Sequence, residues 1–243
     1  MLAGLLVGGG ALLVALVIVV VFAVSRQSVP EPVAGVSAPP SSASPESRTK
    51  GPVPDLFVTT DAKDSYAKLA DRADDPDPVT ENEAFADDAR TPSYKGFDLK
   101  LEDSRIDSDC AAGVWGDRLE ALLVSGGCTQ LLRGYFYNRN REYVAQIALF
   151  NMANETSARA VAVGLDPDPN PGQDGALGFM FPMADSILQG PSKAYAEARG
   201  HYLIVSWVAR ADNSAYGDGD DLIALSVTAE DFKDFITRRL NRR

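Results

Sequence analysis

The longest uninterrupted apolar stretch of the chain lies in its first 24 residues. From Leu2 to Val24 there is no charged side chain. A helix of about 20 such residues spans the hydrocarbon core of a bilayer, so the pattern predicts a transmembrane helix over residues 1–24. A cleaved signal peptide is the alternative, because small residues that suit cleavage follow at Ser25 and Ala38. The length of the run and the absence of a basic residue before it favour an uncleaved anchor.

The hydrophobic pattern weakens after this segment. Residues 25–54 are rich in Pro, Ser and Ala, which predicts a disordered stalk that cannot bury enough apolar surface to fold. Residues 55–109 hold sixteen acidic and seven basic side chains and are predicted to form an acidic, partly ordered neck. Within the neck, Asp61–Arg72 suits a short helix, and the alternation from Phe97 to Leu101 predicts a strand.

A folded domain is predicted over residues 110–243, where apolar positions are dense and regularly spaced. Two strand pairs are separated by short polar turns, which indicates two β-hairpins. The pairs are Thr129–Tyr137 with Glu142–Phe150, and Lys193–Ala198 with His201–Arg210.

Helices are predicted before, between and after these hairpins. Apolar residues from Trp115 to Leu123 recur at helical spacing, and Asn154 is a candidate N-cap for a second helix that ends near Val163. Thr228 is a candidate N-cap for a last helix with Phe232, Phe235, Ile236 and Leu240 on one face. The fold class predicted is α+β, an antiparallel sheet of two hairpins covered by helices on one face.

Cys110 and Cys128 are the only cysteines of the chain and flank the first predicted helix. A lone pair around one element favours a disulfide in an oxidising compartment, and hence an extracytoplasmic domain. Two buried, reduced cysteines are the alternative. A metal site is not expected, because His201 is the only histidine and there is no CxxC spacing.

The formal net charge is −11, from 34 acidic and 23 basic residues. An acidic surface repels phosphate backbones, so nucleic acid is not an expected partner.

Several segments carry a resemblance to other sequences. Cys110, Val114-Trp115-Gly116, the run Gly127–Tyr135 and the stretch Ala198–Leu203 resemble exported domains of uncharacterised single-pass actinobacterial membrane proteins. That resemblance covers residues 105–240 and implies an envelope location and a disulfide, but no activity. A stalked α+β domain with one disulfide is also distantly similar to the sensor modules of bacterial receptor kinases.

Candidate catalytic and metal-binding residues are few. His201 lies beside a predicted hairpin turn, no GxSxG elbow is present, and we expect His201 to be structural. No phosphate-binding glycine loop occurs in the predicted domain, and no cofactor is expected. Oxygen ligands at alternate positions make one loop a weak calcium candidate, although Pro171 stands where a calcium loop needs glycine. Its ligands would be Asp166, Asp168, Asn170 and Asp174.

Aromatic residues are concentrated on the predicted hairpins. Because alternate residues of a strand face opposite sides, some of these side chains are core and others are available to a ligand or partner. The candidates for such a face are Arg133, Tyr135, Tyr137 and Tyr202.

These patterns favour a membrane-anchored, extracytoplasmic binding or scaffolding module without catalytic activity. Its expected partner is an envelope protein or cell-wall material. A hydrolase that uses paired carboxylates is one alternative, suggested by the acidic loops. A small-molecule sensor domain is another.

Overall fold

Strands form the framework of the protein in the computed structural model, which describes residues 50–62, 65–167 and 178–243. Two short strands, β4 (Val114–Trp115) and β7 (Phe179–Met180), form a small ladder of their own. The other seven are β1 (Leu56–Asp61), β2 (Ser93–Tyr94), β3 (Phe97–Asp107), β5 (Gln130–Asn138), β6 (Tyr143–Asn151), β8 (Ser192–Arg199) and β9 (Tyr202–Arg210).

These seven strands form one sheet in the order β1-β8-β9-β6-β5-β3-β2. Neighbouring strands are antiparallel except β1 and β8, which run parallel. The two predicted hairpins are confirmed as β5–β6 and β8–β9. The antiparallel character of the sheet is therefore as expected, but the sheet has more strands than the two hairpins supply.

The additional strands β1, β2 and β3 come from residues 55–109, the segment predicted to be an acidic neck. The strand predicted around Phe97 is confirmed and continues to Asp107 as the neighbour of β5. Phe85 and Leu99 from the same segment are buried in the core. The described residues on both sides of Cys110 thus belong to one compact unit.

The predicted transmembrane helix over residues 1–24 lies outside the described residues, as does the stalk up to residue 49. Among the residues that are described, no helix is both long and apolar enough to cross a membrane.

Six α-helices accompany the sheet in the described part of the chain. Asn154 caps one of them as predicted, because its side-chain oxygen accepts a hydrogen bond from the Ser157 amide at 2.9 Å. The helices are α1 (Glu81–Ala84), α2 (Asp87–Arg90), α3 (Asp117–Ser125), α4 (Glu155–Gly164), α5 (Leu222–Ala229) and α6 (Asp234–Arg242).

Two predicted helices differ from the structure. The helix expected to begin at Thr228 is preceded by α5, which Asp221 caps through the Ala224 amide at 2.9 Å. Thr228 lies inside α5 and donates its hydroxyl to the Ala224 carbonyl at 2.6 Å, so it is not a cap. The helix expected over Asp61–Arg72 is replaced in the described residues by 3₁₀ turns, one of them at Ala67–Leu69.

Both faces of the sheet are covered by helices, which corrects the one-face arrangement predicted from the sequence. Leu131 and Leu132 are adjacent in β5, and each is fully buried, but in different hydrophobic clusters. Leu131 shares its cluster with α3 and α4, whereas Leu132 shares its cluster with α5, α6 and residues 79–89. Because neighbouring strand residues point to opposite faces, the sheet separates two apolar cores.

The two cysteines form a disulfide that joins the two ends of the α3 region. Cys110 begins a 3₁₀ turn, Cys128 lies two residues before the start of β5, and their Cα atoms are 6.2 Å apart. The closed loop has a separation of 18 residues, and in the chain-entropy model a bridge of this span stabilises the fold by roughly 3 kcal/mol.

A buried arginine ties the C-terminal helix α6 to the segment before α1. Arg239 is 2 % exposed and forms a bidentate ion pair with Glu83, with N–O distances of 2.8 and 2.5 Å. It also donates to Asp75 at 3.2 Å and to the backbone carbonyls of Asp77 and Pro78. Burial alone would raise the pKa of Asp75, but hydrogen bonds from Arg243 and Tyr202 and the charge of Arg239 outweigh it and lower that pKa.

Replacing Arg239 is expected to destabilise the protein strongly. The Arg239→Met variant keeps the side-chain volume but leaves Asp75 and Glu83 partly unpaired in a buried site, which costs about 3–5 kcal/mol. Urea unfolding followed by tryptophan fluorescence measures this loss. The matched control is Arg238→Met, since Arg238 is exposed and makes one hydrogen bond, to the Glu83 carbonyl at 3.1 Å. Equal stability of the two variants would contradict the structural role of Arg239.

Candidate binding site

One part of the sheet is less covered than the rest, at the turn between β5 and β6. On the α3–α4 face, Leu131 and Arg133 of β5 are buried, whereas Tyr135 and Tyr137 farther along the strand are half-buried. Helix α4 packs on β8 and β9, away from this end of β5. The two tyrosine rings are therefore held by a central strand and still reach solvent.

The neighbouring strand β3 places charged side chains beside these tyrosines. Its register places Lys100 opposite Tyr137 and Asp103 opposite Tyr135. Directly opposite residues lie on the same face of an antiparallel pair. Glu102 is the extra residue of a β-bulge between two consecutive pairs of this ladder. The open end of this face therefore carries two aromatic rings beside charges of both signs.

The turn between β5 and β6 adds a cation to the aromatic pair. Arg141 has a left-handed backbone, with φ of 57°, and its guanidinium carbon lies 3.8 Å from the centre of the Tyr137 ring. The rings of Tyr135 and Tyr137 meet edge to face, with centres 6.0 Å apart. A guanidinium stacked on a ring keeps its N–H edges available for a carboxylate or carbonyl, which suits recognition of a polar ligand.

A shallow cleft with a volume of about 500 Å³ is lined by Tyr137, Arg141 and Lys100 among others. Such a volume lies within the range of small-ligand sites. Two ion pairs lie in the cleft: Arg141 is 3.4 Å from Glu102, and Arg139 is 4.0 Å from Asp98. Because both arginines are exposed, these ion pairs contribute little to the stability of the fold. The lining residues are Thr91, Asp98, Leu99, Lys100, Glu102, Tyr137, Asn138, Arg139 and Arg141.

Of the four residues predicted to form a ligand face, Tyr135 and Tyr137 lie in this region, and whether they bind a ligand stays a prediction. Tyr137 lines the cleft and Tyr135 is its neighbour. Tyr202 lies on the opposite face of the sheet, fully buried, and donates its hydroxyl to Asp75 at 2.8 Å. The prediction for Tyr202 is therefore corrected to a core role. The sequence analysis did not identify Arg141, because its side chain lies over Tyr137 only as a result of the turn between β5 and β6.

Arg133 points to the same face but is buried below the 3₁₀ turn that begins at Cys110. It is 1 % exposed and donates to Asp107 at 2.5 Å, while its Nε and Nη1 have no hydrogen-bond partner among the described residues. The backbone of Gly113 lies directly against the guanidinium, since a Cβ there would be 2.8 Å from its central carbon. Burial lowers the pKa of Arg133, and the charge of Asp107 opposes this effect. Arg133 therefore supports the aromatic face from beneath and does not line the cleft.

In the acidic loop before α5, the carboxylate of Asp220 stabilises the fold. Asp220 accepts hydrogen bonds from the Tyr143 hydroxyl and the Gly217 amide and pairs with Arg210 at 3.0 Å. Among the described residues, no group of three or more His, Cys, Asp or Glu side chains could hold a metal ion. Three of the weak calcium candidates, Asp168, Asn170 and Asp174, lie outside the described residues, and the fourth, Asp166, follows α4.

His201 is fully buried at the turn between β8 and β9. Its Nδ1 donates to the Leu69 carbonyl at 2.8 Å, and its ring lies 3.9 Å from that of Tyr202. Its Nε2 has no partner within the described residues. Burial lowers the pKa of His201, although the hydrogen bond to the Leu69 carbonyl opposes the shift, so the ring of the folded protein is neutral at pH 7 and above.

Comparison of the chain with family models, curated proteins and solved structures finds no match.

Arg133→Met is expected to leave stability unchanged or to increase it by about 1 kcal/mol. Methionine removes two unpaired buried donors, and Asp107 remains hydrated because its side chain is 26 % exposed. Urea unfolding of this variant beside the wild-type protein measures the difference. A loss of about 3 kcal/mol or more would contradict the absence of further partners at Nε and Nη1.

His201 is expected to make stability depend on pH near neutrality. Because its pKa is lowered in the folded state, the unfolded chain binds more protons once pH falls below about 6.5, and stability decreases there. Between pH 7.5 and pH 5.5 the loss is at most about 1.4 kcal/mol. The His201→Asn variant retains a donor for Leu69 and cannot titrate. Urea unfolding at both pH values should show the loss in wild type alone; an equal loss in the variant would refute this assignment.

Proposed function

We propose that this chain is a non-catalytic binding module of the cell envelope. Residues 1–24 anchor it in the membrane, and the folded unit lies on the extracytoplasmic side. The observation that carries the proposal is the Tyr137–Arg141 stack in an open cleft of mixed charge. The Cys110–Cys128 disulfide supports the compartment, because such bonds persist in oxidising environments.

The geometry of the cleft suits recognition of a polar, partly charged ligand. Tyr135 and Tyr137 are fixed by a strand that pairs on both sides, so little ordering entropy is lost on binding. Lys100, Arg139 and Arg141 supply donors for carboxylates or carbonyls, and Asp98 and Glu102 can pair with amines. Cell-wall peptides carry both carboxylates and amines, and so do protein segments.

A hydrolase that acts on the same material is the second candidate. Asp98 and Glu102 both line the cleft, and two carboxylates in one cleft can serve as acid and base in hydrolysis. This alternative predicts turnover, whereas the binding module predicts retention of an intact ligand.

Co-sedimentation of the full chain in detergent with purified cell-wall sacculi, and with an envelope membrane fraction, tests the proposal. We expect binding to one of the two, and about a tenfold loss in Tyr137→Ala and in Arg141→Ala. Tyr216→Ala is the matched control, since Lys193 lies 4.6 Å over the Tyr216 ring outside the cleft.

Binding to neither material, or binding that the cleft variants leave unchanged, would contradict the proposal. Release of soluble fragments from sacculi that is abolished by Glu102→Gln would support the hydrolase instead.

A further inference from the structure

The two carboxylates of the cleft are already engaged by neighbouring side chains. Asp98 accepts a hydrogen bond from the Ser93 hydroxyl at 2.6 Å and lies 4.0 Å from Arg139. Glu102 lies 3.4 Å from Arg141. An amine of a ligand must therefore compete with these partners for either carboxylate.

Lys100 differs from the other charged residues of the cleft. Its side chain is exposed and forms no ion pair or hydrogen bond with a described residue. It lies directly opposite Tyr137 in the β3–β5 ladder, which places the two Cβ atoms about 4.5–5.5 Å apart. The three N–H donors of its ammonium group are thus available beside the tyrosine.

The lining of the cleft has an excess of positive charge. Its charged side chains are three cations and two carboxylates, a net charge of +1, whereas the whole chain carries −11. An acidic surface repels anions, and a local excess of positive charge attracts them. An anionic ligand therefore binds more favourably at the cleft than elsewhere on this acidic protein.

Arg141 has a backbone conformation that usually belongs to glycine or asparagine. Its φ of 57° lies in the left-handed region, which is disfavoured for a residue with a Cβ atom. Residues held in this region cluster at ligand sites. The Arg141 side chain stacks on Tyr137 and is still 58 % exposed, so its donors are accessible. The strained turn thus places a second cation with accessible donors beside Tyr137.

Given the binding function proposed above, we infer that the ligand is an anion whose carboxylate binds between Lys100 and Arg141, beside the Tyr137 ring. The planar guanidinium of Arg141 donates to the carboxylate oxygens, and the ammonium group of Lys100 adds a point charge. Lys100 then determines the preference for a carboxylate over an amine. Cell-wall peptides and acidic protein segments share this chemistry, and the two materials of the co-sedimentation assay distinguish these sources.

Chemical capping of the bound material tests this specificity. Its carboxylates are converted to neutral amides with a carbodiimide and glycinamide, or its amines are acetylated, and binding of the full chain is measured at about 0.15 M salt to screen long-range repulsion. Capping of the carboxylates should weaken binding at least about tenfold, and acetylation should leave it unchanged. Non-specific attraction of an acidic chain has the opposite sign, because capped carboxylates leave the material more positive.

Loss of binding on acetylation alone, or equal binding to the untreated and both capped materials, would overturn the inference and leave the binding function intact. Binding to neither sacculi nor membranes before treatment would contradict the binding function and this inference together.

Substitution of Lys100 tests its role in the full chain. Lys100→Gln should weaken binding to the untreated material about tenfold, whereas Lys100→Arg keeps the charge and should stay within about threefold of wild type. Lys193→Gln is the matched control, because Lys193 also lies on a strand beside a tyrosine ring, 4.6 Å from the centre of Tyr216, near the opposite edge of the sheet. The midpoint of urea unfolding verifies that each variant is folded. Unchanged binding in Lys100→Gln, or an equal loss in Lys193→Gln, would overturn the inference.

Discussion

The structure depends on a sheet whose central strands are apolar on both sides. In β6, eight consecutive residues from Val144 to Asn151 are buried, and in β9 eight consecutive residues from Tyr202 to Ala209 are buried. Strands of this kind are stable only between two layers, because each face must be removed from water. Helices α3 and α4 form one layer, and α5 and α6 form the other. These helices are at most ten residues long and leave parts of the sheet half-buried, on one face at Tyr135 and Tyr137 of β5 and on the other along β8. The candidate cleft is thus a consequence of incomplete coverage.

Ion pairs hold the C-terminal helix to the acidic segment before β3. The acidic segment before β3 is not simply a solvated linker, since Asp75 and Glu83 pair with Arg239, Arg242 and Arg243 of the C-terminal helix. Residues far apart in sequence thereby close the α5–α6 layer. Arg133 contrasts with Arg239, because both are buried but only Arg239 has its donors fully occupied. Arg239 is therefore a structural tie, whereas Arg133 lies beneath the aromatic face with two donors that have no partner among the described residues.

The sequence was sufficient for features that are encoded locally. Both hairpins, the Asn154 cap and the Cys110–Cys128 pair follow from periodicity, turn chemistry and spacing. The sequence was insufficient for features that depend on contacts between distant parts of the chain. β1 was not recognised as a strand, because a segment of only six residues, three of them polar, gains its structure from pairing with β8. Tyr202 lies in a strand buried on both faces, so alternation could not show that it belongs to the core. In the cleft, the position of Tyr137 on a strand followed from the sequence pattern, but the positions of Arg141 and Lys100 depend on a left-handed turn and on cross-strand register.

The central claim is that one strand presents rigid aromatic side chains at an uncovered end of a two-sided core. Hydroxyl-radical footprinting of the native full chain, read residue by residue by mass spectrometry, tests it directly. The structure predicts oxidation at Tyr135 and Tyr137, with protection of Phe136 between them and of Tyr202 on the other face, both of which are fully buried. Protection of Tyr137 equal to that of Tyr202 would contradict the account, because that face of the sheet would then be covered.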